Sequence, residues 1–175
     1  MKILIAFLLI TFNFLPIISP AFAQTPINPT PVDYDLPYPG ILPDHPLYPL
    51  KELRDDLLYF FTSSPQKKAE LNLLFADKKI GMFKSLLEKN KVELALDSVV
   101  ESQSELLKAA SLIPSLKQKN ILPVGLPDKI SLAAKKHLQE MNIMRQTANL
   151  NAGEKLNQAL KLNNQASSII DSNKE

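Results

Sequence analysis

The chain has 175 residues, 20 Lys and Arg against 18 Asp and Glu, and no cysteine. A net charge of +2 with no concentrated basic stretch argues against a nucleic-acid partner and gives no electrostatic pull toward an anionic bilayer. Without disulfides the fold must rest on its apolar core, and the 45% hydrophobic content suffices for one helical domain.

Residues 1–23, MKILIAFLLITFNFLPIISPAFA, set one early charge, Lys2, before an apolar run and end on Ala21-Phe22-Ala23. This is the layout of a signal peptide with an A-x-A cleavage site. The run is interrupted by Asn13 and Pro16 and is short for a membrane span of about 20 apolar residues. The expectation is export, with cleavage after Ala23 and a secreted or cell-envelope location. The rival reading is a retained N-terminal anchor.

Residues 24–49 hold eight of the fourteen prolines. The first part, 24–37, has few large apolar groups and reads as a semi-rigid proline-rich linker. The second part is denser. Ile41, Leu42, Leu47 and Tyr48 should dock on the domain as a structural strap, since the prolines lower the entropy lost on ordering it.

Pro49 suits the start of a first helix whose apolar face is Leu50, Leu53, Leu57 and Phe60 or Phe61, with Lys51, Glu52, Asp55 and Asp56 in water. Ser64-Pro65 then caps and starts a second helix. Its residues Ala69, Leu73, Ala76, Ile80, Phe83 and Leu87 recur at helical spacing, and Leu71, Phe75, Met82 and Leu86 form a second stripe. Two stripes require neighbours on two sides, so this helix is placed centrally, with Leu73, Ala76, Ile80, Phe83 and Leu87 as its core. Gly81 is either a close helix crossing or a defect of about 1 kcal/mol.

Asn90 ends the second helix and, as N-x-x-E with Glu93, could cap a third. The third helix carries Val92, Leu96, Val99, Leu106, Ala110 and Ile113, interrupted by Gln103, and should stop before Pro114. Residues 115–126 read as a connector lying on the bundle. From Pro127 the inner face is Ile130, Ala134, Leu138, Met141 and Ala148, resuming as Leu156, Ala159, Leu160, Ala166 and Ile170. Residues 114–170 are thus a hairpin or one long helix bent near Gly153, and 171–175 a disordered tail. The fold class is all-α, a bundle of four to five helices behind a proline-rich strap, with its main domain at 38–113.

The blocks PGILPDHPLYPLKEL (39–53) and FFTSSPQKKAELNLLFADKKI (60–80) resemble a bacterial family known only as a domain of unknown function. Its mark is P-G-x-L-P-x-x-P-L-Y-x-L-K followed by P-x-K-K-A-E-L. Where the family tends to carry an acid after a basic pair, this chain has Lys78-Lys79-Ile80-Gly81-Met82. The resemblance implies an exported or membrane-anchored helical protein and supplies no activity.

Candidate chemistry is sparse. His137 and Glu140 could share a helix face, but two histidines in the whole chain do not make the ligand cluster a metal needs. His45 lies beside Asp44 in the strap. Asp33-x-Asp35 lacks the glycine and distal glutamate of a calcium loop. Glu52, Asp55 and Asp56 read as solvated charge rather than a catalytic carboxylate pair. No nucleophile elbow or phosphate loop is present. The sequence therefore points to no catalytic residue, cofactor or metal. It suggests a non-enzymatic interaction or structural module of the envelope with an unknown protein or envelope partner. The alternative is an extracytoplasmic carrier for a small ligand or metal.

Overall fold

The computed structural model describes residues 31–147 and 153–173, which form five α-helices. These are α1 (Tyr48–Phe61), α2 (Pro65–Glu88), α3 (Val92–Gln118), α4 (Leu126–Thr147) and α5 (Glu154–Asp171). The signal-peptide reading of 1–23, the first residues of the linker and Ala148 lie outside the described residues. Among those described, no helix is long and apolar enough to cross a membrane.

Helices α2 to α5 make an up-down-up-down bundle. The α2–α3 connection is one turn, and Ser102 Oγ on Ala76 O (2.8 Å) shows the two helices running antiparallel. Residues Ile130, Ala133 and Ala134 of α4 lie level with Ala69 and Leu73, and Met141 with Ile80 and Phe83, so α4 runs parallel to α2. Helix α5 runs parallel to α3: Lys155 pairs with Asp97 at one end, Asn163 with Gln103 midway, and Asn173 O accepts from Lys117 at the other. Residues 126–171 are therefore two helices. Helix α5 runs to Asp171, with Ile170 fully buried.

Leu73, Ala76, Ile80, Phe83 and Leu87 are all buried. The second stripe of α2 is covered from outside in its C-terminal half, while Leu71 and Phe75 are half-buried. Met82 and Leu86 are fully buried, in a cluster joined by Leu36, Leu42 and Tyr48 of the preceding segment. Gly81 is neither a helix crossing nor a defect. A Cβ there would stand 3.3 Å from Cβ of Pro39, so the missing side chain is the seat of the proline ring.

Three local expectations are corrected. First, Pro114 does not end α3, which runs four residues further to Gln118. Proline forfeits one backbone bond, but Ile113 and Leu116 on either side of it are fully buried, and Ser115 Oγ bonds back to Leu112 O. The connector shrinks to 119–125. Second, Asn90 caps nothing with its side chain. It sits at φ 56° past the end of α2, where Lys91 N–H bonds to Leu86 O (2.8 Å) and Asn90 N–H to Leu87 O (2.9 Å), a Schellman closure. Asn120 at φ 54° repeats it after α3.

Third, α1 is turned over. Lys51 and Asp55, expected in water, are buried, while Leu50 is 64% exposed. The helix does not pack closely on any bundle helix; it leans on α2 and α3 through long charged side chains, Glu52 reaching Lys79 and Lys79 reaching Glu101. Burial disfavours the charged form of Lys79, but the Glu101 carboxylate outweighs it and holds the ammonium above its usual range.

Proline in a helix interior costs about 3 kcal/mol relative to alanine. Pro114→Ala should therefore raise stability, by about 2 kcal/mol once the greater freedom of its unfolded chain is set against this, read as a higher melting temperature. A lower one would show that the proline bend is needed for the packing of Leu116.

Candidate functional site: a buried polar network under the strap

Five side chains from the strap and all four bundle helices meet in the middle of the domain. Asp77 of α2 is 4% exposed. Its Oδ2 accepts from Tyr34 OH at 2.6 Å, and its Oδ1 lies 2.9 Å from Nε2 of His137 on α4. His137 Nδ1 lies 3.3 Å from Gln103 Nε2 on α3. Gln103 Oε1 accepts from Asn163 Nδ2 of α5 at 2.9 Å, and that same amide nitrogen donates to Ala134 O at 3.0 Å.

The partners fix the polarity of the chain. Because Gln103 Oε1 is taken by Asn163, its NH₂ faces His137 Nδ1, which accepts. Nε2 of the imidazole then carries the hydrogen and donates it to Asp77. Donors run inward from Asn163 through Gln103 and His137 to the carboxylate, and Tyr34 closes the opposite side. Burial, and then the hydrogen bond to Asp77, push the Tyr34 phenol far above the usual tyrosine range, so it stays a donor.

A tyrosine, a carboxylate and an imidazole in line are the parts of a proton relay. Here the line ends inside the core. His137 and Gln103 are wholly buried and Asn163 is nearly so, and each bonds to protein. What the arrangement does is tie the strap and four helices to one carboxylate.

The residues singled out from sequence fall elsewhere or play other parts. His137 is fully buried, and Glu140 pairs with Lys136 (3.1 Å), not with it. His45 is exposed, its Nδ1 accepting from Leu47 N–H. Asp33 and Asp35 are exposed. Asp55 bonds to Lys51 and Arg54; burial opposes its ionisation, yet these two cations hold its carboxyl below the usual range. Of the strap residues, Leu42 and Tyr48 pack against the core while Ile41 and Leu47 are 38% and 52% exposed. The docked segment also begins earlier than Tyr38, since Val32 N–H donates to Gln139 Oε1 (3.1 Å) and Leu36 joins the core. Among the described residues no group of three or more His, Asp or Glu could hold a metal ion.

Tyr34, Asp77, Gln103 and Asn163 were not selected as a site from sequence. A signal existed for two of them: Gln103 and Asn163 each occupy a core position within an apolar stripe, the second between Ala159 and Ala166. Nothing local distinguishes Asp77 from the surface charges of α2.

The sequence profile of the family described as "Domain of unknown function (DUF5667)" matches residues 40–173. The chain belongs to this family. No curated protein and no solved structure matches it. The DUF5667 region contains Asp77, His137, Gln103 and Asn163, whereas Tyr34 and Pro39, which close the network and fill the seat at Gly81, lie just before it.

Tyr34→Phe removes a hydrogen bond to a buried carboxylate and should lower stability by about 1.5–3 kcal/mol. Gln103→Leu should cost about as much by leaving His137 Nδ1 unpaired. Thermal melts check both, and an unchanged melting temperature for Tyr34→Phe would show that the phenol does not hold the strap.

The strap has a second tie. Asp44 Oδ2 lies 3.0 Å from Lys91 Nζ and 3.1 Å from Lys89 Nζ. Lys91 and then Lys89 hold its carboxyl below the usual carboxylate range. A native value below the unfolded one of about 3.9 means the tie is complete above that pH and is lost as pH falls through the native value. Pepsin should cut residues 38–47 faster at pH 2 than at pH 4 in the parent, relative to a denatured control. In Asp44→Asn the pH dependence of that ratio should shrink.

Proposed function

We propose that this DUF5667 protein is a non-enzymatic interaction or structural module acting outside the cytoplasmic membrane, as part of the cell envelope. The observation that carries the reading is the outward apolar face of α1, which includes Phe60 and Phe61 at 76% and 74% exposure. Side chains of that size left in water mark a surface that another body covers. The central polar groups support the same reading, because they are spent on one another and on backbone carbonyls. Asp77, His137, Gln103 and Asn163 take up the middle of the space between the helices that a small-ligand or metal carrier would use. The location rests on Lys2, the apolar run and Ala21-Phe22-Ala23 at the start of the chain.

Two measurements test this. Mass spectrometry of the protein from producing cells should find a chain starting at Gln24 outside the cytoplasm; a soluble cytoplasmic form retaining Met1 would overturn the location. Capture from envelope extract with the full chain should enrich a component, this chain itself included, that Leu50→Glu loses. Equal recovery by both would detach the function from α1.

A further inference from the structure

The apolar side of α1 is a continuous face. Leu47, Leu50, Leu53, Leu57 and Leu58 are between 47% and 64% exposed, and Phe60 and Phe61 are more exposed still. At about 100° per residue these seven span about 160° of the helix, with Tyr48 and Asp55 on the opposite side and Lys51 at the edge beside Leu58. Arg54 lies within the face, but its guanidinium turns back onto Asp55 Oδ1 at 2.6 Å. At the usual area of an aromatic side chain Phe60 and Phe61 alone present about 300 Å². The whole face comes to about 800 Å², the share of one partner in a standard protein interface. It exceeds the largest apolar patch of about 300–600 Å² on a typical monomer.

The face has relief of two kinds at its two ends. Toward the N-terminus, Ile41 joins Leu47, Leu50, Leu53 and Leu57 in a largely apolar groove that Lys51 and Arg54 also line. Toward the C-terminus, the Phe60 and Phe61 rings stand edge to face, 5.3 Å between centroids, as a ridge. A ridge and a groove at opposite ends of one helix of 14 residues are what a two-fold axis across that helix brings together twice.

We propose that the partner on α1 is a second copy of this chain. The two α1 helices lie antiparallel about a two-fold axis near Leu53 and Arg54. Leu50 of each copy meets Leu57 of the other, and Phe60 and Phe61 enter the groove formed by Ile41, Leu47 and Leu50. A lipid surface fits the same face less well. Lys51 and Arg54 are outnumbered in α1 by Glu52, Asp55 and Asp56, the reverse of the basic fringe that holds an amphipathic helix on anionic lipid. The inference rests on the interaction-module reading and names its partner.

The absence of cysteine makes the geometry directly readable, since any disulfide through one introduced thiol joins two chains. The full chain, recovered from the fraction of producing cells that holds it, should scatter light as twice the chain mass. Leu50→Glu and Phe60→Glu should each halve that mass while keeping the parent's helical circular dichroism and melting behaviour. Under mild oxidation Leu53→Cys should form a covalent dimer, and Lys129→Cys, away from α1, should not. A monomeric parent, or a dimer that survives Leu50→Glu and leaves Leu53→Cys unlinked, overturns the proposal. If such a monomer floats with vesicles of mixed neutral and anionic lipid, and Leu50→Glu does not, the face belongs to a membrane and the module reading stands. If it neither dimerises, floats nor captures an envelope component through α1, both readings fall.

Discussion

A carboxylate 4% exposed in the middle of a helical bundle sets the terms for everything around it. An isolated ionised group there would be costly, and the penalty falls only when good donors reach it. Asp77 obtains its donors from two directions. Tyr34 reaches in from the segment before the first helix, and His137 from α4. His137 can present its Nε2 hydrogen because Gln103 serves Nδ1, and Gln103 is oriented because Asn163 serves its oxygen. One charge thus accounts for polar residues at core positions on α3, α4 and α5, and for an ordered chain from Val32 onward. Removing Asp77 while keeping the rest would leave inward-pointing donors with nothing to bond, which is itself destabilising.

The outside of the molecule follows the opposite logic. Helix α1 turns Lys51 and Asp55 toward α2 and α3 and shows its leucines and phenylalanines to solvent. Its attachment is made of ion pairs and of Tyr48 against the core, so it holds position without burying its own apolar side within the chain. That division suits a surface element whose proper covering comes from another molecule.

What could be read in the sequence depended on whether the deciding partner was local. The core of α2 was legible because Leu73, Ala76, Ile80, Phe83 and Leu87 repeat at helical spacing, and the double stripe indicated cover on two sides. For α1 the same periodicity located both faces but not their direction, since a pattern cannot tell which face finds its partner within the same chain. His137 and Asp77 are 60 residues apart, so neither showed its burial locally, and Asp77 looked like any charge on a helix. Tyr34 was read as linker because its neighbours are small or polar; one phenol oxygen anchors what no cluster of leucines does. At Pro114 a local rule gave way to the burial of Ile113 and Leu116 around it.

The helix contacts around the network are rich in alanine: Ala69 and Ala76 on α2, Ala109 and Ala110 on α3, Ala133 and Ala134 on α4, Ala159 and Ala166 on α5, all at most 2% exposed. Small side chains let helices approach closely but offer little to mark axial position, and on α2 and α5, whose alanines recur seven residues apart, a slide of two turns, about 11 Å, would set one alanine where another had been. The bonds among Asp77, His137, Gln103 and Asn163 tolerate no such slide, because each is shorter than the step itself. The polar cluster therefore acts as a detent that selects one register among several that the apolar surfaces nearly allow. A version of the domain with this cluster replaced by leucine and methionine would keep its helices and lose the uniqueness of their alignment.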